Sequence, residues 1–93
     1  MSDTKTVRVR VTGRVQGVSF RWWTRREALG LGLTGWVRNE EDGSVRALLH
    51  GAQDVVHQML DRLRHGPPGA RVDDVTVEEE GGGEVPAGFE ILR

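Results

Sequence analysis

Residues 7–12, VRVRVT, alternate apolar and polar side chains, which predicts a half-buried strand with Val7, Val9 and Val11 inward and Arg8 and Arg10 outward. Phe20, Trp23, Ala28 and Leu31 then fall near one face of a helix, with Ser19 placed as its N-cap and Gly30 and Gly32 near its far end. TGWVRN (34–39) reads as a second strand. SVRALLH (44–50) reads as a third, with Val45, Ala47 and Leu49 on one side, and EEDG between them as a tight hairpin turn on Asp42 and Gly43. From Gly51 the apolar spacing changes to three and four: Val56, Met59, Leu60 and Leu63 predict a second helix, stopped by HGPPG (65–69). A fourth strand covers about 71–79, GGGEVPAG (81–88) turns the chain, and FEILR supplies a short last strand with Phe89 and Ile91 on one side.

That order predicts an α+β fold of the ferredoxin-like, split βαβ kind: an antiparallel sheet of four main strands plus a short C-terminal strand, with two helices on one face. Residues 1–93 read as a single domain, of which 1–5 are expected to be disordered. In such a unit the first two strands run parallel with the third between them, so their C-terminal ends share an edge. The loop at 13–21 and Asn39 thereby become neighbours.

Composition narrows the class. The 93 residues can bury one modest core, and no apolar run approaches the roughly 20 residues that span a bilayer. MSDTKTV lacks the apolar stretch of an export signal, and the chain has no cysteine, so thiolate metal sites, disulfides and thiol nucleophiles are absent; a cytoplasmic protein fits. The net charge of −1 hides an asymmetry, +6 over residues 1–38 and −7 over 39–93. A basic first part favours small anions, while near-neutrality overall argues against nucleic acid as a partner.

The chemistry concentrates in GRVQGVSFR, residues 13–21. It is a glycine-punctuated turn leading into a helix N-terminus, where free N–H groups and the dipole favour an anion. A left-handed Gly17 would let the amides of Val15, Gln16, Gly17, Val18 and Ser19 converge, and Arg21 in the first helical turn could grip two phosphate oxygens. A plain turn followed by a surface arginine has the same spacing, so the residues alone leave both readings open.

Other candidates carry less. GLGLTG (30–35) has the dinucleotide spacing but closes a helix and enters a strand, the reverse of what a nucleotide loop needs, and no Walker lysine follows GRVQG. His50, His57 and His65 lie seven and eight apart, not on one helical face, so they are no metal set. The acidic clusters at 40–42, 73–74 and 78–80 read as solvated turns and protected edges. Ser19 has no histidine nearby for nucleophilic catalysis, and Trp22, Trp23 and Trp36 read as core or rim packing rather than base-stacking platforms.

The chain resembles the acylphosphatase family over nearly its whole length. One family signature, G-x-V-Q-G-V-x-[FY]-R, stands as Gly13-Arg14-Val15-Gln16-Gly17-Val18-Ser19-Phe20-Arg21. A second stands as Gly35-Trp36-Val37-Arg38-Asn39 followed by Gly43, Val45 and Gly51; Thr24, Ala28 and the Phe89–Ile91 ending also agree. The resemblance implies hydrolysis of the carboxyl-phosphate bond of small acyl phosphates to a carboxylate and inorganic phosphate, by in-line attack of water. Arg21 and the loop amides would bind the phosphoryl group and Asn39 would orient the water, with no metal or cofactor, and with inorganic phosphate or sulfate as competing ligands. A monomer is expected. The alternative is a non-catalytic phosphate-binding or protein-interaction module on the same fold. The Trp22-Trp23 pair after the arginine departs from the familiar pattern and leaves the acyl end of the substrate undefined.

Overall fold

The computed structural model describes residues 3–81 and 84–92. Seven elements follow in order: β1 (Thr4–Arg14), α1 (Phe20–Gly30), β2 (Thr34–Asn39), β3 (Val45–Ala52), α2 (Gln53–His65), β4 (Arg71–Glu80) and β5 (Phe89–Ile91). The sheet order is β4-β1-β3-β2-β5, so β3 lies between β1 and β2 as a split βαβ unit requires.

β1 is longer than the alternating run predicts, because β3 pairs with it from Thr4, opposite Ala52, to Val11, opposite Val45. Of the five residues expected to be disordered, Thr4 and Lys5 are therefore in the strand, Asp3 accepts a backbone hydrogen bond from Gln53, and 1 and 2 lie outside the described residues. Alternation sorts the side chains between the faces. Val7, Val9, Val11, Val37, Val45, Ala47 and Leu49 join one core cluster with Phe20 and Ala28 of α1 and Val56, Met59, Leu60 and Leu63 of α2. The opposite face carries Arg8, Arg38 and Arg46, with the Trp36 ring between the Arg8 and Arg38 guanidiniums at 5.7 and 4.8 Å.

The antiparallel sheet expected from the element order is corrected in one place. β5 runs parallel to β2, pairing Gly35 with Phe89 and Val37 with Ile91, and the sheet is mixed. The cause is the route of the chain. After β4, on the far edge, it must cross to the other side of the sheet; Val85 and Pro86 border Trp36 on the open face, and Gly88 then accepts the Gly35 amide at 3.0 Å. The strand that follows enters beside the start of β2 and runs with it. Phe89 fills the core there against Gly35, whose φ of 146° and close approach to the Leu48 carbonyl leave no room for a Cβ.

β4 sits at an edge, and its acidic residues serve it: Glu78 and Glu79 pair with Arg46 and Arg8, and Glu80 pairs with Lys5. No helix among the described residues is long and apolar enough to cross a membrane.

Candidate active site

The loop between β1 and α1 takes its shape from two left-handed residues, Gly17 at φ 74° and Ser19 at φ 60°. Ser19 is the one non-glycine residue with positive φ among the described residues, a conformation that costs an L-residue about 1–2 kcal/mol. This corrects the expectation that Ser19 caps α1. It stands at the N-cap position, but its side chain makes no capping bond, because a capping side chain needs an extended backbone that Ser19 does not have. The first helical bond runs from the Trp23 amide to the Ser19 carbonyl at 3.0 Å. The amides before Trp23 therefore have no acceptor within the helix and are free for a ligand, and no acidic residue occupies the first turn to compete for them.

The loop opens into a cavity of about 340 Å³ lined by Val15, Gln16, Gly17, Ser19, Phe20, Arg21, Trp22, Asn39 and Ile91. Four of the five predicted loop residues line it; Val18 instead packs against the core. Arg21 and Asn39, 18 positions apart, share this wall, as the parallel run of β1 and β2 requires.

Arg21 is half-buried, and its Nη1 donates to the Leu92 carbonyl at 3.3 Å. One turn on, Arg25 Nε donates to the Phe89 carbonyl at 3.0 Å. The two arginines thus bind α1 to the last strand, and the first is held at the cavity. Asn39 ends β2, and its Oδ1 is buried with no hydrogen-bond partner among the described residues. A buried carboxamide oxygen without a partner is costly.

Gln16 does more than lend an amide. Its Nε2 donates to the carbonyls of Glu40 at 2.7 Å and Ser44 at 2.8 Å, which fastens the loop to the hairpin that follows Asn39. That hairpin is a three-residue turn closed by the Glu40 amide on the Ser44 carbonyl at 2.9 Å, with Gly43 left-handed at φ 93°. Asp42 accepts from the Ser44 amide at 2.9 Å and from its hydroxyl at 2.6 Å. Those bonds, then the Arg10 guanidinium, hold the Asp42 carboxyl well below the usual carboxylate range.

Sequence reasoning missed the Leu92 carbonyl, the Gln16 clamp and the placement of Trp22 and Ile91 in the wall. Backbone carbonyls leave no mark on a sequence, and Trp22 reads from the sequence only as core or rim packing. The lining has no Asp, Glu, His or Cys side chain, and among the described residues no group of three or more such side chains is arranged to hold a metal ion.

A ferredoxin-like sandwich with unpaired amides, one guanidinium and one carboxamide around a small cavity has the donors to take a compact tetrahedral anion. Comparison with known proteins is in keeping with that class. A model of the acylphosphatase family matches residues 7–91. An acylphosphatase of Rhizobium meliloti (strain 1021) is 59% identical over 91 residues, covering 98% of this chain and 96% of the relative. The structure of an acylphosphatase from Coxiella burnetii superposes with a TM-score of 0.91 at 37% identity, covering 97% of this chain and 94% of that one. That of Bacillus subtilis gives 0.89 at 34% identity, covering 98% and 100%. The chain belongs to the acylphosphatase family.

Proposed function

We propose that this chain hydrolyses small acyl phosphates at the cavity between the β1–α1 loop and the end of β2. The observation that carries the reading is the shared wall: Arg21, the loop residues Val15, Gln16, Gly17 and Ser19, and Asn39 all line one cavity. Arg21 and the amides hold the nonbridging oxygens of the phosphoryl group, where charge persists through an in-line displacement. Asn39 accepts a hydrogen bond from the attacking water and aligns it; a carboxamide is too weak a base to take the proton. The water oxygen bonds to phosphorus while the bond from phosphorus to the acyl oxygen breaks, and the electron pair leaves with the carboxylate. The proton passes to an oxygen of the phosphoryl group itself. A carboxylate is a good leaving group, so no general acid is required, and Ser19, the hydroxyl in the lining, has no Asp, Glu or His beside it there to activate it for a phosphoenzyme.

We expect a cytoplasmic enzyme working as one monomeric domain, with inorganic phosphate or sulfate competing for the same donors. The test is carboxylate release from benzoyl phosphate by the purified chain in EDTA. Arg21→Ala should raise KM and lower turnover, whereas Asn39→Ala should mainly lower kcat, each by on the order of 10² to 10³. Circular dichroism should stay native for both. Phosphate binding without turnover would point instead to a non-catalytic module, and full activity in either variant would remove that residue's role.

A further inference from the structure

The cavity lining is part polar and part apolar: beside Gln16, Gly17, Ser19, Arg21 and Asn39 it includes Val15, Phe20, Trp22 and Ile91. Val15 and Phe20 are buried at 1% and 2% exposure and belong to the core. Trp22 and Ile91 are different: at 56% and 39% exposed they are two of the four large apolar side chains that stand in solvent among the described residues, and they come from opposite ends of the chain. Folding leaves both uncovered beside the same cavity.

Their offset from the phosphate grip is one residue in each case. Trp22 follows Arg21, and Ile91 precedes Leu92, whose carbonyl holds the Arg21 guanidinium. An acyl group is joined to phosphorus through a single oxygen, so a group bound at Arg21 places its acyl body within reach of both side chains. The indole is also oriented in advance. The Arg26 guanidinium, one helical turn on, lies 5.0 Å from its ring centroid and is itself paired with Glu27 at 3.8 Å. A held ring loses little further freedom when a ligand packs on it.

We propose that Trp22 and Ile91 form the acyl subsite, and that the preferred substrates are acyl phosphates with a planar, apolar acyl group, aromatic ones above all. The proposal rests on the reading of the cavity as the site of hydrolysis. Ile91 offers no hydrogen bond to a polar acyl group and Trp22 only its single indole N–H, while a phenyl ring gains both aromatic contact and removal of apolar area from water. An acetyl group is too short to cover the indole.

The measurement is kcat/KM for benzoyl phosphate and for acetyl phosphate, taken in the unaltered chain, Trp22→Ala, Trp22→Phe and Ile91→Ala. Comparing each variant with the unaltered chain cancels the intrinsic difference between the two leaving groups. The benzoyl-to-acetyl ratio should fall about tenfold in Trp22→Ala, chiefly through KM for benzoyl phosphate, and about two- to threefold in Ile91→Ala. Trp22→Phe should retain most of the ratio. An unchanged ratio in Trp22→Ala, or equal losses of kcat on both substrates, overturns the subsite. Arg21→Ala separates the two ideas: if it hydrolyses both substrates at the full rate, the site reading itself fails, whatever the Trp22 variants do.

Discussion

Gln16→Ala removes two hydrogen bonds, of 2.7 and 2.8 Å, that join the anion loop to the β2–β3 hairpin. Each is worth about 0.5–1.5 kcal/mol net, and because the site is half-buried water will replace part of the loss, so the expected destabilisation is about 1.5 kcal/mol. For a domain of this size that lowers Tm by roughly 6–12 °C, measurable by circular dichroism. The second effect is on binding. Once unfastened, the loop must be ordered by the ligand, and fixing the backbone of one residue costs about 1–2 kcal/mol, so inorganic phosphate measured by calorimetry should bind about tenfold more weakly. Gln16→Glu should be at least as harmful, since a carboxylate facing two carbonyl oxygens has no hydrogen to donate. A drop in Tm of under about 2 °C would refute the clamp. A full drop in Tm with unchanged phosphate affinity would show that the clamp stabilises the hairpin but does not shape the loop.

Gly35→Ala should destabilise the fold by about 3 kcal/mol or more, because the new Cβ would meet the Leu48 carbonyl oxygen and the Phe89 ring from a positive φ; a denaturation midpoint near that of the unaltered chain would contradict the packing of β5. Asp42→Asn tests the hairpin by pH. Since the folded carboxyl titrates below its unfolded value of about 3.9, its stabilisation is complete above that pH and is lost as pH falls through the folded value. The stability gap between the unaltered chain and the variant, measured by denaturant titration, should be widest near neutrality and close in acid; a gap independent of pH would mean the charge is not what holds the turn.

The architecture was legible because alternation and helical spacing are local properties. Val7, Val9 and Val11 announce an inward face whatever the strand pairs with, and Val56, Met59, Leu60 and Leu63 do the same for α2. The direction of β5 was not legible. FEILR states only that a strand exists, while its parallel run beside β2 depends on where the chain re-enters the sheet, next to the start of β2. At the site, Gly17 announced a left-handed turn because glycine adopts one without cost, but Ser19 misled: serine before an apolar stripe reads as a cap, and only the folded loop turns its backbone left-handed and leaves the amides free. The approach of Arg21 to Asn39 followed from topology. Its anchor on a main-chain carbonyl 71 positions away did not.

Because α1 fastens Arg21 and Arg25 to the main-chain oxygens of Leu92 and Phe89, the pocket is joined from two regions at opposite ends of synthesis. A chain emerging from the ribosome makes its glycine turn early, yet has nothing to steady the guanidinium until Phe89 to Leu92 have also appeared and docked. Turnover by this protein would therefore report on completion of the whole topology, and a fragment rich in native-like strands but lacking that final edge should be silent.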